Sequence, residues 1–173
     1  MKKIISKIFR LVANSLVGTG LYKYGIFQKT SRFLTVKLKP DFVIINGNKI
    51  YLDKLDTLSL STYGSHGVLM AKLFTKESKK GDIVVDAGAH IGDYTLLYAK
   101  LVGPTGKVFA FEPHKDNFNL LKKNIEVNNY QNIIVENKAI SNVTGKSKFY
   151  LGNEFYTSGA LFKPSRFDDV VDV

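Results

Sequence analysis

The chain has 173 residues, a length that suits one domain, and its composition of 45% apolar and 23% charged residues indicates a globular protein. It contains no cysteine, which excludes disulfide bonds, thiolate nucleophiles and cysteine metal ligands. The formal charge of +10 is concentrated at the N-terminus, because nine lysines and arginines precede the first acidic residue, Asp41.

Residues 1–40 form a basic N-terminal arm. Within residues 1–17 the apolar side chains recur at helical spacing, opposite Lys3, Lys7 and Arg10, which predicts a basic amphipathic helix. Three interpretations are open: a helix packed on its own domain, adsorption to an anionic membrane surface, and contact with nucleic acid. Polar residues interrupt the apolar run that a cleaved signal peptide needs, and no apolar stretch of about 20 residues is present to span a membrane.

Residues 41–80 lead from the arm into the main domain. Asn46-Gly47 separates two apolar runs, 42–45 and 48–52, and this pair tolerates the positive φ angles of a tight turn, so we expect a β-hairpin. Residues 53–67 are rich in Asp, Ser, Thr and Gly and predict a loop. Residues 68–74 predict a helix.

Residues 81–173 show a regular alternation of strand and helix. The order β-α-β-α-β predicts parallel strands joined by right-handed crossovers. Two later segments predict an antiparallel pair, and the final "FDDVVDV" resembles the onset of an element without a successor. The predicted ranges are strands 83–86, 107–111 and 132–136, helices 92–102 and 116–128, and the antiparallel segments 146–151 and 159–162.

The stretch "VVDAGAHIGDYT" places a strand, a glycine turn and a helix in succession. Such a turn directs backbone N–H groups toward a ligand, and glycine permits close approach to the main chain. A dinucleotide fingerprint beginning at Gly88 would need glycine where His90 and Asp93 stand, and no Gly-Lys-Ser/Thr phosphate loop is present. The observed D-x-G-x-x-x-G pattern favours a ligand without a pyrophosphate.

A carboxylate follows the next predicted strand. Glu112 closes "VFAFE" at the distance downstream where such folds place a ribose-binding acid. The turn and this acid together predict a nucleoside-binding site. His66, His90 and His114 are far apart and lack the spacing of metal ligands, so no metal site is expected.

Three stretches carry a resemblance to a known family: "GDIVVDAGAHIGDYTLLYAK", "GKVFAFEPHKDNFNLLKKNIEVNN" and "NIIVENKAIS". They resemble the S-adenosylmethionine (SAM)-binding half of class I methyltransferases, and more narrowly the FkbM-like family. The resemblance covers about residues 42–162. It implies an α/β Rossmann-like class I methyltransferase fold with a partial parallel sheet of order 3-2-1, an N-terminal helical and hairpin extension, and a C-terminal antiparallel pair. The family's fourth strand has no counterpart, so we expect the SAM domain to be incomplete at the C-terminus, with residues 83–85 on an open edge.

The resemblance also implies roles for residues of the turn. Asp86 and the backbone around Gly88 and Ala89 would hold the amino end of the methionine moiety. Gly92 would let the following helix begin close to the cofactor.

Further roles follow for three residues after the turn. Thr95 would contact the cofactor carboxylate, or cap and pack the helix. Glu112 would bind the ribose hydroxyls. Asn137 is a candidate adenine contact, with an ordinary polar loop residue as the alternative. The resemblance identifies no catalytic base.

The function implied is SAM-dependent O-methylation of a hydroxyl on a small molecule, a sugar or a lipid-linked glycan. Alternatives are an RNA methyltransferase and a non-catalytic SAM-binding remnant. Nucleic acid is not expected as a partner, because the basic excess stops at Lys39 and no aromatic and basic surface is visible. We expect a cytoplasmic location, with residues 1–17 as a peripheral contact to the inner membrane surface.

Overall fold

The computed structural model describes residues 12, 15, 19–20, 23–64, 67–151, 159–160 and 169–172. The predicted helix in residues 1–17 therefore lies outside the described residues, apart from Val12 and Ser15, which are exposed. None of the helices in the described part is long and apolar enough to span a membrane. The helices are α1 Gly25–Leu38, α2 Leu60–Tyr63, α3 Val68–Glu77, α4 Asp93–Val102 and α5 Lys115–Val127. The strands are β1 Phe42–Ile45, β2 Asn48–Tyr51, β3 Ile83–Ala87, β4 Lys107–Phe111, β5 Ile133–Glu136, β6 Lys148–Leu151, β7 Gly159–Ala160 and β8 Asp169–Asp172.

The parallel sheet has the predicted 3-2-1 order, with β4 between β3 and β5. One face of this sheet is covered by α4 and α5, which bury Val108 and Ala110 completely. On the other face Ile83 and Val85 of β3 are 71% and 59% exposed. Within the described residues β3 pairs with β4 alone, so β3 is the predicted open edge. Parallel sheets are usually covered on both faces, and the described residues cover only one face of this sheet.

The predicted hairpin is confirmed, with β1 and β2 joined by Asn46 and Gly47 at φ 53° and 83°. Two positive φ angles give the type I′ turn that matches strand twist. The free edge of β2 is closed by two asparagine side chains at the C-terminal end of α5, Asn124 within the helix and Asn128 as its C-cap. Asn124 bonds both the N–H and the C=O of Tyr51, and Asn128 does the same for Lys49. These two amides, four residues apart on one helix face, take the place of a third strand.

Two segments before the sheet differ from the prediction. Residues 53–67 were predicted as loop, but they include the short helix α2. The carboxylate of the buried Asp56 accepts the N–H of Ser61 and starts this turn, and the burial of Leu60 anchors it. Helix α1, at the end of the basic arm, was also not predicted.

The C-terminal antiparallel pair is confirmed as β6 with β7, but the sheet contains one more strand than was predicted. The final segment, which resembled the onset of an element, forms β8, and β8 pairs with the other edge of β6. The result is a three-stranded sheet of order β7-β6-β8. The physical reason is that a strand has two hydrogen-bonding edges, and β8 satisfies the one that β7 leaves open.

Candidate functional site

The glycine turn, residues 88–92, joins β3 to α4 at the carboxyl ends of the parallel strands, where open α/β sheets bind ligands. The N–H groups of Gly88 and Ala89 both donate to the carbonyl of Phe111, at 2.8 and 3.0 Å. The turn is thereby fixed on the end of β4, directly beside Glu112. The structure thus brings together the two sequence features from which the nucleoside site was predicted.

Gly88 lies beside open space. Its φ of 83° favours glycine, and a Cβ added there would meet no heavy atom within 4 Å. A ligand can therefore approach this backbone, and the cofactor contact predicted for Gly88 stays a prediction. Ala89 differs, because its side chain is buried against Ala110 and Leu121.

Glu112 is the buried acid of the site, with only 5% of its surface exposed. Its Oε2 accepts the N–H of His90 and its Oε1 accepts the N–H of His114, both at 2.8 Å. Burial raises the pKa of Glu112, and the backbone hydrogen bonds from His114 and His90 oppose that rise. The Asn117 side chain also donates to this carboxylate, which leaves about one of its four lone-pair sites for a ligand hydroxyl.

Asp86, near the end of β3, is the second acid. The hydroxyl of the fully buried Thr95 donates to its Oδ2 at 2.5 Å. Burial raises the pKa of Asp86, and this hydrogen bond lowers it in part. Thr95 therefore orients the Asp86 carboxylate, a contact that the sequence did not predict. A desolvated carboxylate of this kind is stabilised by a cationic partner.

Gly92 has a different neighbour from the one expected. Its φ is 93°, and an added Cβ would lie 2.5 Å from Cδ1 of Leu121 on α5. The glycine is needed so that α4 can begin against α5, and this packing accounts for it without a ligand. Its predicted role beside the cofactor stays a prediction.

Asn137 follows β5 and reaches the same end of the sheet. Its side-chain N–H groups donate to the carbonyls of Glu112 and Pro113, at 2.7 and 3.0 Å. The residue therefore ties the chain after β5 to the chain after β4 and helps to position Glu112. The adenine contact predicted for it stays a prediction.

An aromatic cluster beside Asp86 was not predicted as part of the site. Phe74 of α3 packs on Tyr94 and Tyr98 of α4, with ring centroids 5.1 and 4.7 Å apart. Burial, together with the charge of Asp86, raises the pKa of Tyr94 and raises that of Tyr98 to about 12. Both phenols keep their protons at neutral pH, so this cluster adds no negative charge beside Asp86.

His90, at the centre of the turn, is a second residue that the sequence analysis missed. Its Nε2 lies 3.2 Å from the hydroxyl of Thr57, which in turn donates to Asp53 at 2.9 Å. The spacing of Asp53 and Thr57 is typical of a side-chain-capped turn and is readable from sequence. The contact to His90 joins residues 33 positions apart and left no sequence signal. No group of three or more potential metal ligands occurs within the ranges that the structure describes.

Comparison with known proteins places this site in a family. The methyltransferase FkbM domain matches residues 86–170, a segment that includes Asp86, Glu112 and Asn137. This match confirms, over that segment, the family that the sequence predicted.

The chain is also similar to individual methyltransferases. It is 28% identical over 64 residues to the tRNA (adenine(58)-N(1))-methyltransferase catalytic subunit TRM61 of Yarrowia lipolytica, an overlap of 37% of this chain and 16% of that protein. Among solved structures it is similar to TYW2 of P. horikoshii in complex with MeSAdo (26% identity, TM-score 0.49, 61% of this chain and 38% of that one). It is likewise similar to a SAM-dependent methyltransferase from Aquifex aeolicus (28% identity, TM-score 0.36, 40% and 36%). The chain thus spans well under half the length of each of these relatives.

Proposed function

Because residues 86–170 belong to the FkbM methyltransferase domain family, we propose that the chain binds SAM and acts as the SAM-binding part of a SAM-dependent methyltransferase. The observation that carries this proposal is the buried Glu112 beside an open glycine turn. A buried carboxylate that keeps an unused lone pair next to an approachable backbone suits a ligand that has a hydroxyl group and little negative charge. A nucleoside cofactor without phosphates fits that description.

Each site residue has a proposed part in holding the cofactor. Asp86, desolvated and oriented by Thr95, binds the cationic amino group. The backbone at Gly88 allows close approach, Glu112 accepts the ribose hydroxyls, and Asn137 borders the adenine. The bound cofactor supplies an electrophilic methyl group, and the chain's own contribution is to fix the position of that group relative to an acceptor.

The acceptor that we propose is a hydroxyl on a small molecule, a sugar or a lipid-linked glycan, as the sequence resemblance implies. Methyl transfer to a hydroxyl is assisted by a general base. We assign no residue to that role, because no described side chain is placed for it by an observed contact. A non-catalytic SAM-binding protein is the alternative, and it predicts binding without methyl transfer to any acceptor.

The first experiment is calorimetric titration of SAM into the chain and into the Glu112→Ala variant. Hydrogen bonds to charged groups contribute about 1.5–3 kcal/mol each, so we expect Glu112→Ala to weaken binding by about 10-fold to 100-fold. Glu126→Ala, which removes an exposed acid of α5, is the matched control and should bind as the unmodified chain does. Absence of saturable binding to a chain that is folded by circular dichroism would contradict the proposal.

A cytoplasmic location with peripheral membrane contact through residues 1–17 is proposed from the basic and apolar pattern of that segment. Co-sedimentation with vesicles that contain anionic lipid tests this proposal. Replacing Lys2, Lys3, Lys7 and Arg10 by Gln should release the protein into the supernatant. Equal sedimentation of this variant would contradict the proposal.

A second candidate function is RNA methylation. The Yarrowia relative is named as a tRNA methyltransferase, and the structure contains a surface that the sequence analysis did not foresee. The ammonium group of Lys49 lies 4.4 Å from the ring centroid of Phe42 and 4.9 Å from that of Tyr51, and Lys123 lies 3.7 Å from Tyr51. Aromatic and basic groups are therefore interleaved here, so the reason for discounting nucleic acid was wrong.

Binding of single-stranded RNA as a function of salt tests this candidate. Within the described part of the chain neither Lys49 nor Lys123 forms an ion pair, so both can meet phosphates. Each lysine that contacts a phosphate adds about 0.7 to the slope of log affinity against log salt, so Lys49→Gln with Lys123→Gln should lower the slope by about 1.4. Lys107→Gln, an exposed lysine of β4, is the control. An unchanged slope in the double variant would contradict this use of the surface.

A further inference from the structure

His90 is the residue of the glycine turn whose conformation is least expected. It has a φ of 51°, a left-handed conformation that residues other than glycine adopt uncommonly, and it stands between Gly88 and Gly92. Such a conformation persists when the surrounding structure holds it in place. His90 is in fact held from two sides, by its backbone and by its ring.

The ring is held by a hydrogen-bond chain whose proton positions can be deduced. Thr57 has one hydroxyl proton, and that proton is donated to Oδ2 of the Asp53 carboxylate. The oxygen of Thr57 must then accept the remaining hydrogen bond, from Nε2–H of His90 at 3.2 Å. The imidazole therefore carries a proton on Nε2.

The start of this chain is itself fixed. The carboxylate of Asp53 accepts the backbone N–H of Leu55 at 2.9 Å and that of Thr57 at 3.0 Å. The Thr57 hydroxyl is therefore presented by a closed loop. The hydrogen bonds to Asp53 fix both the backbone and the hydroxyl of Thr57, so the Thr57 side chain does not rotate freely.

The backbone of His90 completes the connection to the binding acid. Its N–H donates to Oε2 of Glu112 at 2.8 Å. A continuous path of hydrogen bonds thus runs from Asp53 through Thr57 and His90 to Glu112. Asp53 and Thr57 lie before residue 86, outside the matched domain, so the family match does not account for any part that they have in the site.

We propose that Thr57 and His90 are positioning residues of the cofactor site. They hold the glycine turn in its binding shape and direct the Oε2 oxygen of Glu112. This inference rests on the proposed function, since it takes the turn to be the place where SAM binds. It makes the loop of residues 53–57 a part of the site that determines cofactor affinity.

The experiment is SAM titration into the full chain and three variants. Thr57→Val keeps the shape of the side chain and removes the hydroxyl, and we expect it to weaken SAM binding about 5-fold to 10-fold, the effect of one lost hydrogen bond. Thr57→Ser restores the hydroxyl and should bind within about 2-fold of the unmodified chain. Thr75→Val removes an exposed hydroxyl that bonds only within α3, and it is the control.

A spectroscopic measurement checks the geometry independently of SAM. Imidazole ¹⁵N shifts at a pH where His90 is neutral should show the proton on Nε2, and Thr57→Val should shift that resonance while Thr57→Ser should not. A proton on Nδ1, or Thr57→Val binding SAM as well as the unmodified chain, would overturn the inference and leave the proposed function intact. Absence of binding to the unmodified chain would instead overturn the proposed function, and the cofactor role of Thr57 with it.

Discussion

The first and second halves of the glycine turn belong to one sequence motif but serve different purposes. In the first half Gly88 faces open space, Gly88 and Ala89 bond to the end of β4, and His90 reaches the acid of the site. Residues 91 and 92 are buried: Ile91 is in the core, its carbonyl accepts from Asn124, and Gly92 abuts Leu121. A glycine in a binding motif is therefore not evidence of ligand contact, because the second glycine is explained by helix packing alone.

The largest expected effect is on stability, in the packed half. Gly92→Ala places a methyl group against the buried Leu121 and forces a positive φ, and we expect the free energy of unfolding to fall by about 2–4 kcal/mol. Urea denaturation measures this. Gly81→Ala is the control, because Gly81 also has a positive φ but its nearest atom would be 3.8 Å away. If the two variants lose equal stability, packing against Leu121 is not what requires the glycine.

In the open half the same substitution should act on binding. Gly88→Ala meets no neighbouring atom, so it should cost about 1 kcal/mol of stability through its φ alone. Its methyl group occupies the space through which the cofactor approaches, and we expect SAM affinity to fall about 10-fold or more, or about 1.4 kcal/mol. Calorimetry on Gly88→Ala and Gly92→Ala side by side measures the contrast. Unchanged affinity in Gly88→Ala would place the cofactor elsewhere.

Substitution of Asp86 should change stability and SAM binding in opposite directions. Its pKa is raised by burial above the ordinary value of 3.8, so the folded chain favours the protonated acid. The contribution of this group to stability is thus largest below pH 3.8 and is lost as the pH rises through the raised pKa. Asp86→Asn removes this loss, and we expect the melting temperature at pH 7 to rise by about 2–4 °C, as for about 1 kcal/mol in a domain of this size.

The same variant should bind SAM less well, because the amide cannot pair with the cationic amino group. In the unmodified chain SAM affinity should weaken as the pH falls through the raised pKa of Asp86, since protonation removes the charge. Melting curves and titrations at several pH values test both signs. A variant that is less stable at pH 7, or that binds SAM normally, would contradict the role given to this acid.

The smallest effect is expected at Asn137. Asn137→Ala removes two hydrogen bonds to the carbonyls of Glu112 and Pro113 from an exposed side chain, and we expect a loss of about 1 kcal/mol of stability. Thermal melting measures it. If Asn137 also borders the adenine, the variant should lose affinity for SAM. It should lose the same factor of affinity for a ribose-modified analogue, because the two ligands share the adenine. A loss of stability without a loss of affinity would mean that Asn137 only ties the chain after β5 to the chain after β4.

Much of the fold was predictable because its signals are local. The hairpin follows from Asn46 and Gly47, whose φ angles are those that the pair permits. Strand β4 was predicted with its observed bounds, and the other elements of the parallel sheet agree with the observed ones to within a residue at most boundaries. The open turn and the acid after β4 were predictable for the same reason, since each is defined by residues that are adjacent in the chain.

The contacts between distant segments were not predictable. Asn124 closes the edge of β2 across 73 residues, and Thr57 meets His90 across 33. Lys123 lies on the ring of Tyr51 although neither residue belongs to a motif. None of these contacts has a periodic or compositional signal, because each depends on how α5 and the loop after β2 pack against the turn.

By itself, the sequence determined the order of elements from β3 to β5, the conformation of the Asn46-Gly47 turn, the acids at the strand ends and the methyltransferase family of residues 86–170. The tertiary structure decided which of these residues contact one another. Thr95 orients Asp86, Gly92 packs against Leu121, and a loop outside the matched domain holds His90. The physical reason is that backbone conformation depends on neighbours in the chain, whereas hydrogen-bond partners and packing depend on neighbours in space.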